Sequence, residues 1–222
     1  MTRRLILGIS IAAAILQSSG TARASVLWNN GAPNITNLGG SGMSDTNQAQ
    51  DFLLAVTSDL TAIRFWSLEG IPGDYTGSIF YQIVTNASGS PSSTVISSGL
   101  VVPTRLAAGT VLGFNQFQND FTITANNVAA GTYWLELHNG PLGTTAFTDF
   151  YWSYTDLNGT NTPTNRGQEF DLNAATGWAT NDQETAMQIF GAPSAVGGVP
   201  EPSTLLLTSV GLAALLLRHR RV

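Results

Sequence analysis

Apolar residues in the central part of this chain recur at every second position in short runs. In residues 61–66, Ile63 and Phe65 fall on one face and Arg64 on the other. Such alternation predicts β-strands with one buried face. The same pattern predicts about eight strands, at residues 52–57, 61–66, 78–84, 94–98, 121–124, 132–138, 147–154 and 185–190.

Turn residues separate these runs. Glycine, proline and small residues cluster at residues 69–74, 86–91, 107–109 and 139–141, where they supply the backbone angles of tight turns. Outside the two chain ends, no segment has the 3.6-residue apolar spacing of a helix. The pattern therefore predicts an all-β antiparallel β-sandwich over residues 25–192, with a jelly roll as the favoured variant.

The run at residues 131–138 shows how the two faces of one strand differ. The face predicted to enter the core holds Tyr133, Leu135 and Leu137. The opposite face holds Trp134, Glu136 and His138. We expect His138 to be exposed to solvent on that second face.

The N-terminus has the order of a signal peptide. Arg3 and Arg4 precede an apolar run, residues 5–16, that is too short to cross a bilayer. Ala22-Arg23-Ala24 then forms an A-x-A cleavage site, which predicts a signal peptide at residues 1–24 and a mature start at Ser25. The export machinery and signal peptidase are the expected partners, and an uncleaved N-terminal anchor is the alternative.

Charge and cysteine content exclude several function classes. Residues 25–192 hold thirteen acidic residues against three arginines, a net charge of −10, and the chain has no lysine or cysteine. Nucleic-acid binding needs clustered basic residues, so no nucleic-acid partner is expected. The lack of cysteine excludes disulfides, zinc–thiolate sites and thiol nucleophiles.

Candidate catalytic groups are few. His138 is the one histidine of the central segment, and no G-x-S-x-G sequence supplies a nucleophile for it. Two carboxylate pairs are spaced to share a strand face: Glu169 with Asp171, and Asp182 with Glu184. Acidic side chains near loops are mostly solvated, so we expect no enzyme. A hydrolase with two facing carboxylates is the alternative.

Residues 156–161 (DLNGTN) place oxygen-bearing side chains at alternate positions, as hard cations such as calcium prefer. The run lacks the later bidentate glutamate of an EF-hand loop. We interpret it as a turn rich in Asp and Asn, with calcium binding as the alternative. No resident cofactor or metal is predicted.

Aromatic residues offer a second candidate function. Trp66, Trp134 and Trp152 are candidates for stacking on sugar rings. Phe150, Trp152 and Tyr154 alternate onto one strand face, and aromatics at that spacing are more often core residues. A carbohydrate-binding module should expose such rings in a row, whereas a structural domain should bury them.

The C-terminus has three parts in a fixed order. A linker of small residues, 193–198, leads to Val199, Pro200, Glu201 and Pro202. The apolar segment 204–217 follows and would be about 21 Å long as a helix, shorter than the ~30 Å hydrocarbon core of a bilayer. The basic residues after it, which favour the cytoplasmic side, are Arg218, Arg220 and Arg221.

This order closely resembles the PEP-CTERM sorting signal of exported bacterial proteins, and Pro200-Glu201-Pro202 matches its motif letter for letter. The resemblance covers residues 199–222. It implies cleavage near the motif by an exosortase, a membrane-embedded processing enzyme, and passage to the cell surface or extracellular matrix. An ordinary C-terminal membrane anchor is the alternative.

We therefore expect a non-catalytic surface or matrix protein whose acidic sandwich contributes to an extracellular polysaccharide layer or biofilm, a setting that the resemblance implies. A carbohydrate-binding module is the second hypothesis, and a secreted hydrolase is the third. Extracellular polysaccharide is the partner that the first two hypotheses share.

Overall fold

The computed structural model describes residues 24–33, 39–70, 73–111, 113–144, 146, 148–155, 167–171, 177–181 and 183–194. Within these residues the chain forms thirteen β-strands and no helix, so the predicted all-β class is confirmed. The strands are β1 (Ser25–Asn29), β2 (Gly40–Gly42), β3 (Thr46–Leu54), β4 (Ser58–Glu69), β5 (Ile79–Ala87), β6 (Ser90–Val101), β7 (Thr104–Val111), β8 (Phe114–Val128), β9 (Gly131–Asn139), β10 (Phe150–Ser153), β11 (Gly167–Asp171), β12 (Ala179–Thr180) and β13 (Met187–Pro193).

The first sheet is organised around β4, which is paired on both edges. β8 runs antiparallel along one edge of β4, and β7 pairs with the far edge of β8. The other edge of β4 is shared by β13 and, near the end of the strand, by β10. β1 and β2 extend this side beyond β13 and β10. Seven strands thus form one antiparallel sheet.

The second sheet is also antiparallel, in the order β12-β11-β3-β9-β5-β6. β5 and β6 form a hairpin through Ser88 and Gly89, whose φ angles are 53° and 88°. A turn with two left-handed residues matches the natural twist of a hairpin, which explains why glycine follows serine at this point.

The inward faces of the two sheets share one hydrophobic core. Phe65 and Phe121 of the first sheet pack edge to face with ring centroids 6.4 Å apart, and Tyr81 of the second sheet lies 5.3 Å from Phe121. Full burial of such side chains contributes roughly 1.5–3 kcal/mol each. Tyr133, Leu135 and Leu137, which were predicted to enter the core, are confirmed as buried. The other alternating strands bury Ile63, Phe65, Ile79, Tyr81, Ile83, Phe150 and Trp152.

Two local predictions need correction. The strand predicted at residues 52–57 ends at Leu54, because residues 55–57 connect β3 to β4. The turn predicted at residues 107–109 is wrong, since these residues lie inside β7. A bulge between Ala107 and Gly109, where Gly109 has φ of 125°, shifts the register there without ending the strand. The jelly-roll variant stays a prediction.

Several predictions concern the chain ends. The signal peptide up to residue 23, the linker from residue 195, the sorting motif and the apolar segment 204–217 lie outside the described residues. In the part of the chain that is described, no helix is long and apolar enough to cross a membrane. β1 begins at Ser25, the predicted mature start.

Candidate functional site

Both faces of β9 are buried, although its alternating pattern predicts one face toward solvent. Trp134 and His138 are fully buried, and Glu136 is 5% exposed. The prediction that His138 is exposed is therefore wrong. The physical reason is that other parts of the chain fold over the outer face of the second sheet and replace water as the neighbour of these side chains.

The β5–β6 hairpin covers Trp134. Register shifts on either side of Val84 allow the hairpin to bend. Asn86 Oδ1 accepts a 2.9 Å hydrogen bond from Trp134 Nε1, and Gly89 O accepts one from Gln168 Nε2 at 3.2 Å. Because Gln168 belongs to β11, two strands beyond β9, the hairpin end crosses the outer face of the sheet. A small apolar cluster forms beneath it, from Ala49, Val84, Trp134 and Trp178.

The loop after β9 covers His138. Its Nδ1 lies 3.1 Å from Gly140 O, and its Nε2 lies 3.1 Å from both Ser44 O and Thr144 O. All three partners are backbone carbonyl oxygens, which only accept hydrogen bonds. Among the described residues these ring contacts include no hydroxyl or carboxylate. The imidazole therefore ties the loop to the segment before β3, an arrangement unlike a Ser-His-Asp site.

Glu136 carries a buried carboxyl on this face. Asn47 Nδ2 donates a 2.9 Å hydrogen bond to Glu136 Oε2. Burial raises the pKa of Glu136 to about 7, and the bond from Asn47 opposes that rise. A carboxyl that titrates near neutrality can serve as a general acid or base when it faces a cleft. Since Glu136 is almost fully covered, it titrates inside the fold instead.

The tryptophans predicted as candidates for sugar stacking are buried. Trp134 and Trp152 have no exposed surface, and Trp66 is 9% exposed. Trp152 Nε1 donates a 3.0 Å hydrogen bond to Ala186 O, and its ring packs against Phe65. The stacking assignment is therefore wrong for all three, because their faces contact protein and a sugar ring needs an open face. Phe150 is likewise fully buried, whereas Tyr154 is half-buried.

The carboxylate pairs have different surroundings. Glu169 is half-buried and Asp171 is exposed on β11. Glu184 is fully buried, which contradicts the expectation that it is solvated, because its segment packs under Thr155, whose N donates to Glu184 O at 2.9 Å. Asp182 and the calcium candidate at 156–161 lie outside the described residues. In the described part, no group of three or more His, Asp or Glu is placed to hold a metal ion.

A buried charge network that the sequence did not suggest centres on Arg105. Its guanidinium lies between two rings, 4.1 Å from the centroids of both Tyr75 and Phe117. It forms an ion pair with Glu69, whose side chain is 6% exposed, and its Nε donates to Asn119 Oδ1 at 3.1 Å. Burial lowers the pKa of Arg105, but from a value so high that the group stays charged. The members of the network bond to one another, Glu69 is buried and the Arg105 side chain is 20% exposed, so the network has the character of a structural ion pair.

Glu69 and Tyr75 of this network lie at one end of the sandwich, which we call the distal pole (residues 44–45, 69–70, 73–75, 139–144 and 148–149), and Arg105 reaches them from β7. Asp149 accepts a 2.8 Å hydrogen bond from Tyr151 OH. Partial burial, this bond and the charges of Asp149, Asp74 and Asp45 raise the pKa of Tyr151 to about 12. The distal pole is therefore a region of negative charge.

The opposite end holds both ends of the folded domain, and we call it the terminal pole (residues 24–26, 53–59, 127–131 and 191–194). β1 pairs antiparallel with β13, so Ser25 lies beside Gly191. Ser194, the last residue that the structure describes, is bonded to the domain twice: its N donates to Thr57 O at 2.9 Å and its Oγ donates to Asp59 Oδ1 at 2.8 Å. The chain therefore enters and leaves the domain at the same pole.

The segment that follows this exit decides the class of protein. Residues 198–221 match the PEP-CTERM protein-sorting motif. The predicted resemblance is confirmed, and the match begins one residue before the predicted boundary. The motif marks an exported protein that passes through the membrane, is sorted by an exosortase and reaches the cell surface. No curated protein and no solved structure matches this chain.

The PEP-CTERM match places the sorting signal close to the folded domain. Only residues 195–197 separate Ser194 from the first matched residue. Three residues span at most about 11 Å. The terminal pole is thus the part of the domain nearest to the processing site.

Proposed function

We propose that this chain is a non-catalytic protein of the cell surface or extracellular matrix, whose acidic β-domain is delivered there by its PEP-CTERM signal and contributes to an exopolysaccharide layer. The sorting motif directly behind a single all-β domain carries the proposal. Matrix material at a cell surface needs a soluble, well-packed domain, and the net charge of −10 in residues 25–192 supports solubility.

The surroundings of the candidate chemical groups support a structural role over catalysis or sugar stacking. His138 is bonded to backbone oxygens, Glu136 is covered, and the rings of Trp134 and Trp152 are in contact with protein. A sugar-binding site on this domain would have to use other side chains. In the proposed route, signal peptidase removes residues 1–24 and the apolar segment 204–217 holds the protein in the membrane until exosortase acts.

The sorting half of the proposal is tested by replacing Pro200-Glu201-Pro202 with alanines in the exporting bacterium. Loss of the motif should leave the full-mass chain in the membrane fraction, because the processing enzyme no longer recognises it. Glu169→Ala, on β11 and far from the motif in sequence, is the matched control and should be sorted normally. Equal release of the motif variant and the native chain would refute exosortase sorting.

The matrix half is tested by fractionation of the released protein. It should sediment with extracellular polysaccharide and become soluble after the polysaccharide is enzymatically digested. A protein that stays soluble in the presence of intact matrix would contradict this role and leave only surface delivery.

A further inference from the structure

Three of the eight large apolar side chains that are exposed among the described residues lie at the terminal pole. Val26, Leu53 and Val56 are 48%, 42% and 52% exposed. Alanines surround them in the turn after β3 and in the turn between β8 and β9, and the exposed ones are Ala24, Ala55, Ala129 and Ala130. Exposed apolar residues that cluster at one end of a domain mark a contact surface.

The terminal pole also lacks the acidity of the domain. Its four segments contain one charged residue, Asp59. The carboxylate of Asp59 accepts hydrogen bonds from Asn127 N at 2.7 Å and from Ser194 Oγ. By contrast, the distal pole contains three aspartates, the half-buried Asp45 and Asp149 and the buried Asp74. A negatively charged surface repels a bilayer that contains anionic lipids, so the terminal pole is the end that such a bilayer tolerates best.

The backbone of the two turns is already hydrogen-bonded within the protein. Val56 O accepts from Ser58 Oγ at 2.9 Å, and Thr57 O accepts from Ser194 N. Ala129 O accepts from Tyr133 OH at 3.0 Å. Removing a carbonyl oxygen from water costs free energy unless it has such a partner. These turn tips therefore lose few hydrogen bonds to water when they enter an apolar or interfacial environment.

The chain itself brings this surface to a membrane. Ten residues separate Ser194 from Leu205, where the apolar run of the sorting segment begins. A chain of ten residues reaches at most about 35 Å. Such a short tether gives the tethered surface a local concentration in the millimolar range, so even a weak contact forms.

We propose that the terminal pole docks on the lipid surface of the membrane that holds the sorting segment, with Val56 and the turn between β8 and β9 entering the interfacial layer. This inference rests on the membrane segment at 204–217 set out under the proposed function. The docked domain stands upright, with its acidic distal pole directed away from the bilayer. A lipid occupant fits better than a protein one, because the turns offer apolar side chains and no charged group for specific pairing.

The test uses residues 25–222, the chain that remains after signal peptidase removes residues 1–24, and because it has no native cysteine, one introduced cysteine can carry a fluorophore. Val56→Cys labels the terminal pole, and Leu142→Cys labels a residue of similar exposure, 43%, on the distal pole. The labelled proteins are reconstituted in vesicles of phosphatidylcholine and phosphatidylglycerol that contain a nitroxide-bearing phosphatidylcholine as quencher. The label at position 56 should be quenched several-fold more than the label at 142.

A second variant separates docking from mere proximity to the tether. With the label at Ala129→Cys, a charge introduced by Val56→Asp should lower the ratio of docked to undocked protein about three-fold, since the apolar contact is lost. Leu142→Asp is the matched control and should leave quenching unchanged. Equal quenching with and without Val56→Asp overturns the docking, even if position 129 lies near lipid.

Flotation of the vesicles distinguishes failure of the docking from failure of the membrane segment. A chain that floats with the vesicles but shows equal quenching at positions 56 and 142 overturns the docking and leaves the membrane segment standing. This is also the result expected if the pole binds the processing enzyme, which the vesicles lack. A chain that does not float overturns the membrane segment and the docking together.

Discussion

The two poles of this sandwich are built from different chemistry. At the distal pole, Arg105 and Glu69 form a buried ion pair between aromatic rings, and Asp74 and Asp149 surround Tyr151. At the terminal pole, the chain ends are held by strand pairing, by apolar turns and by the Ser194 bonds. An ion pair stabilises the distal pole, whereas backbone hydrogen bonds and apolar contacts stabilise the terminal pole.

This difference indicates a division of tasks. In the proposed docked state, the terminal pole faces a bilayer, where carboxylates are costly. The distal pole then faces water, where negative charge favours solubility. The comparison predicts that mutations of charged residues affect stability strongly at the distal pole and weakly at the terminal pole.

The largest expected effect is at Arg105. Arg105→Ala leaves Glu69 buried without its partner, and loss of one member of a buried pair costs about 3–5 kcal/mol of unfolding free energy. Urea unfolding of the two proteins measures this loss. The double replacement Arg105→Met with Glu69→Leu should recover most of it, since no charge then remains buried.

Arg64→Ala provides the control. Arg64 pairs with Asp120 at 2.6 Å, but both side chains are about one-third exposed, at 31% and 38%. Such a pair contributes less than about 1 kcal/mol. Similar losses of unfolding free energy in Arg105→Ala and Arg64→Ala would contradict the expected difference between the two ion pairs.

The strands that this comparison depends on could be predicted in part from the sequence. The alternation of apolar and polar residues identified the core faces of β4, β5 and β9, because every second side chain of a half-buried strand points into the core. It missed β7, whose short and mostly exposed side chains, such as Ala107 and Thr110, carry no such period. The sequence reading also predicted a turn at Gly109. The structure has a β-bulge there, which needs the same positive φ angle that favours glycine in turns.

The surroundings of the candidate site could not be predicted in the same way. The alternation along β9 correctly assigns Trp134 and His138 to its outer face. It does not show which other parts of the chain cover that face. The covering comes from Asn86, 48 residues away, and from Ser44, 94 residues away. The sorting signal was predictable because its motif, apolar segment and arginines are adjacent in sequence.

A smaller effect, and one that depends on pH, is expected at Glu136 in the second sheet. Its carboxyl has a pKa of about 7 in the folded protein, against about 4.5 for an unperturbed glutamate. Between these values the folded state keeps a proton that the unfolded state has released. The free energy of unfolding therefore falls as pH rises from about 4.5 to 7 and is level above that range.

Glu136→Gln removes this titration while keeping the shape and an acceptor for Asn47. We expect the variant to be more stable than the native protein at pH 8 by roughly 1–3 kcal/mol, and nearly equal to it at pH 4. Urea unfolding at several pH values measures both. Parallel pH profiles for the two proteins would show that Glu136 is not the group that titrates.

The smallest expected effect is at the terminal pole, where Ser194 donates to Asp59. The N–H of Asn127, and after it the hydroxyl of Ser194, lower the pKa of Asp59. A lowered carboxyl pKa gives stability that is present above the unfolded pKa and is lost as pH falls through the folded one. Ser194→Ala should therefore lower the melting temperature slightly at pH 7 and not at pH 2.

Ser58→Ala is the matched control for Ser194→Ala, because Ser58 pairs with Pro193, the neighbour of Ser194, and its hydroxyl donates to a backbone carbonyl, Val56 O. Its effect on the melting temperature should be the same at both pH values, since a carbonyl does not titrate. If Ser194→Ala is also independent of pH, then the Ser194 hydroxyl does not stabilise ionised Asp59. The bond from Ser194 N to Thr57 O would then be what fixes the chain exit at the terminal pole.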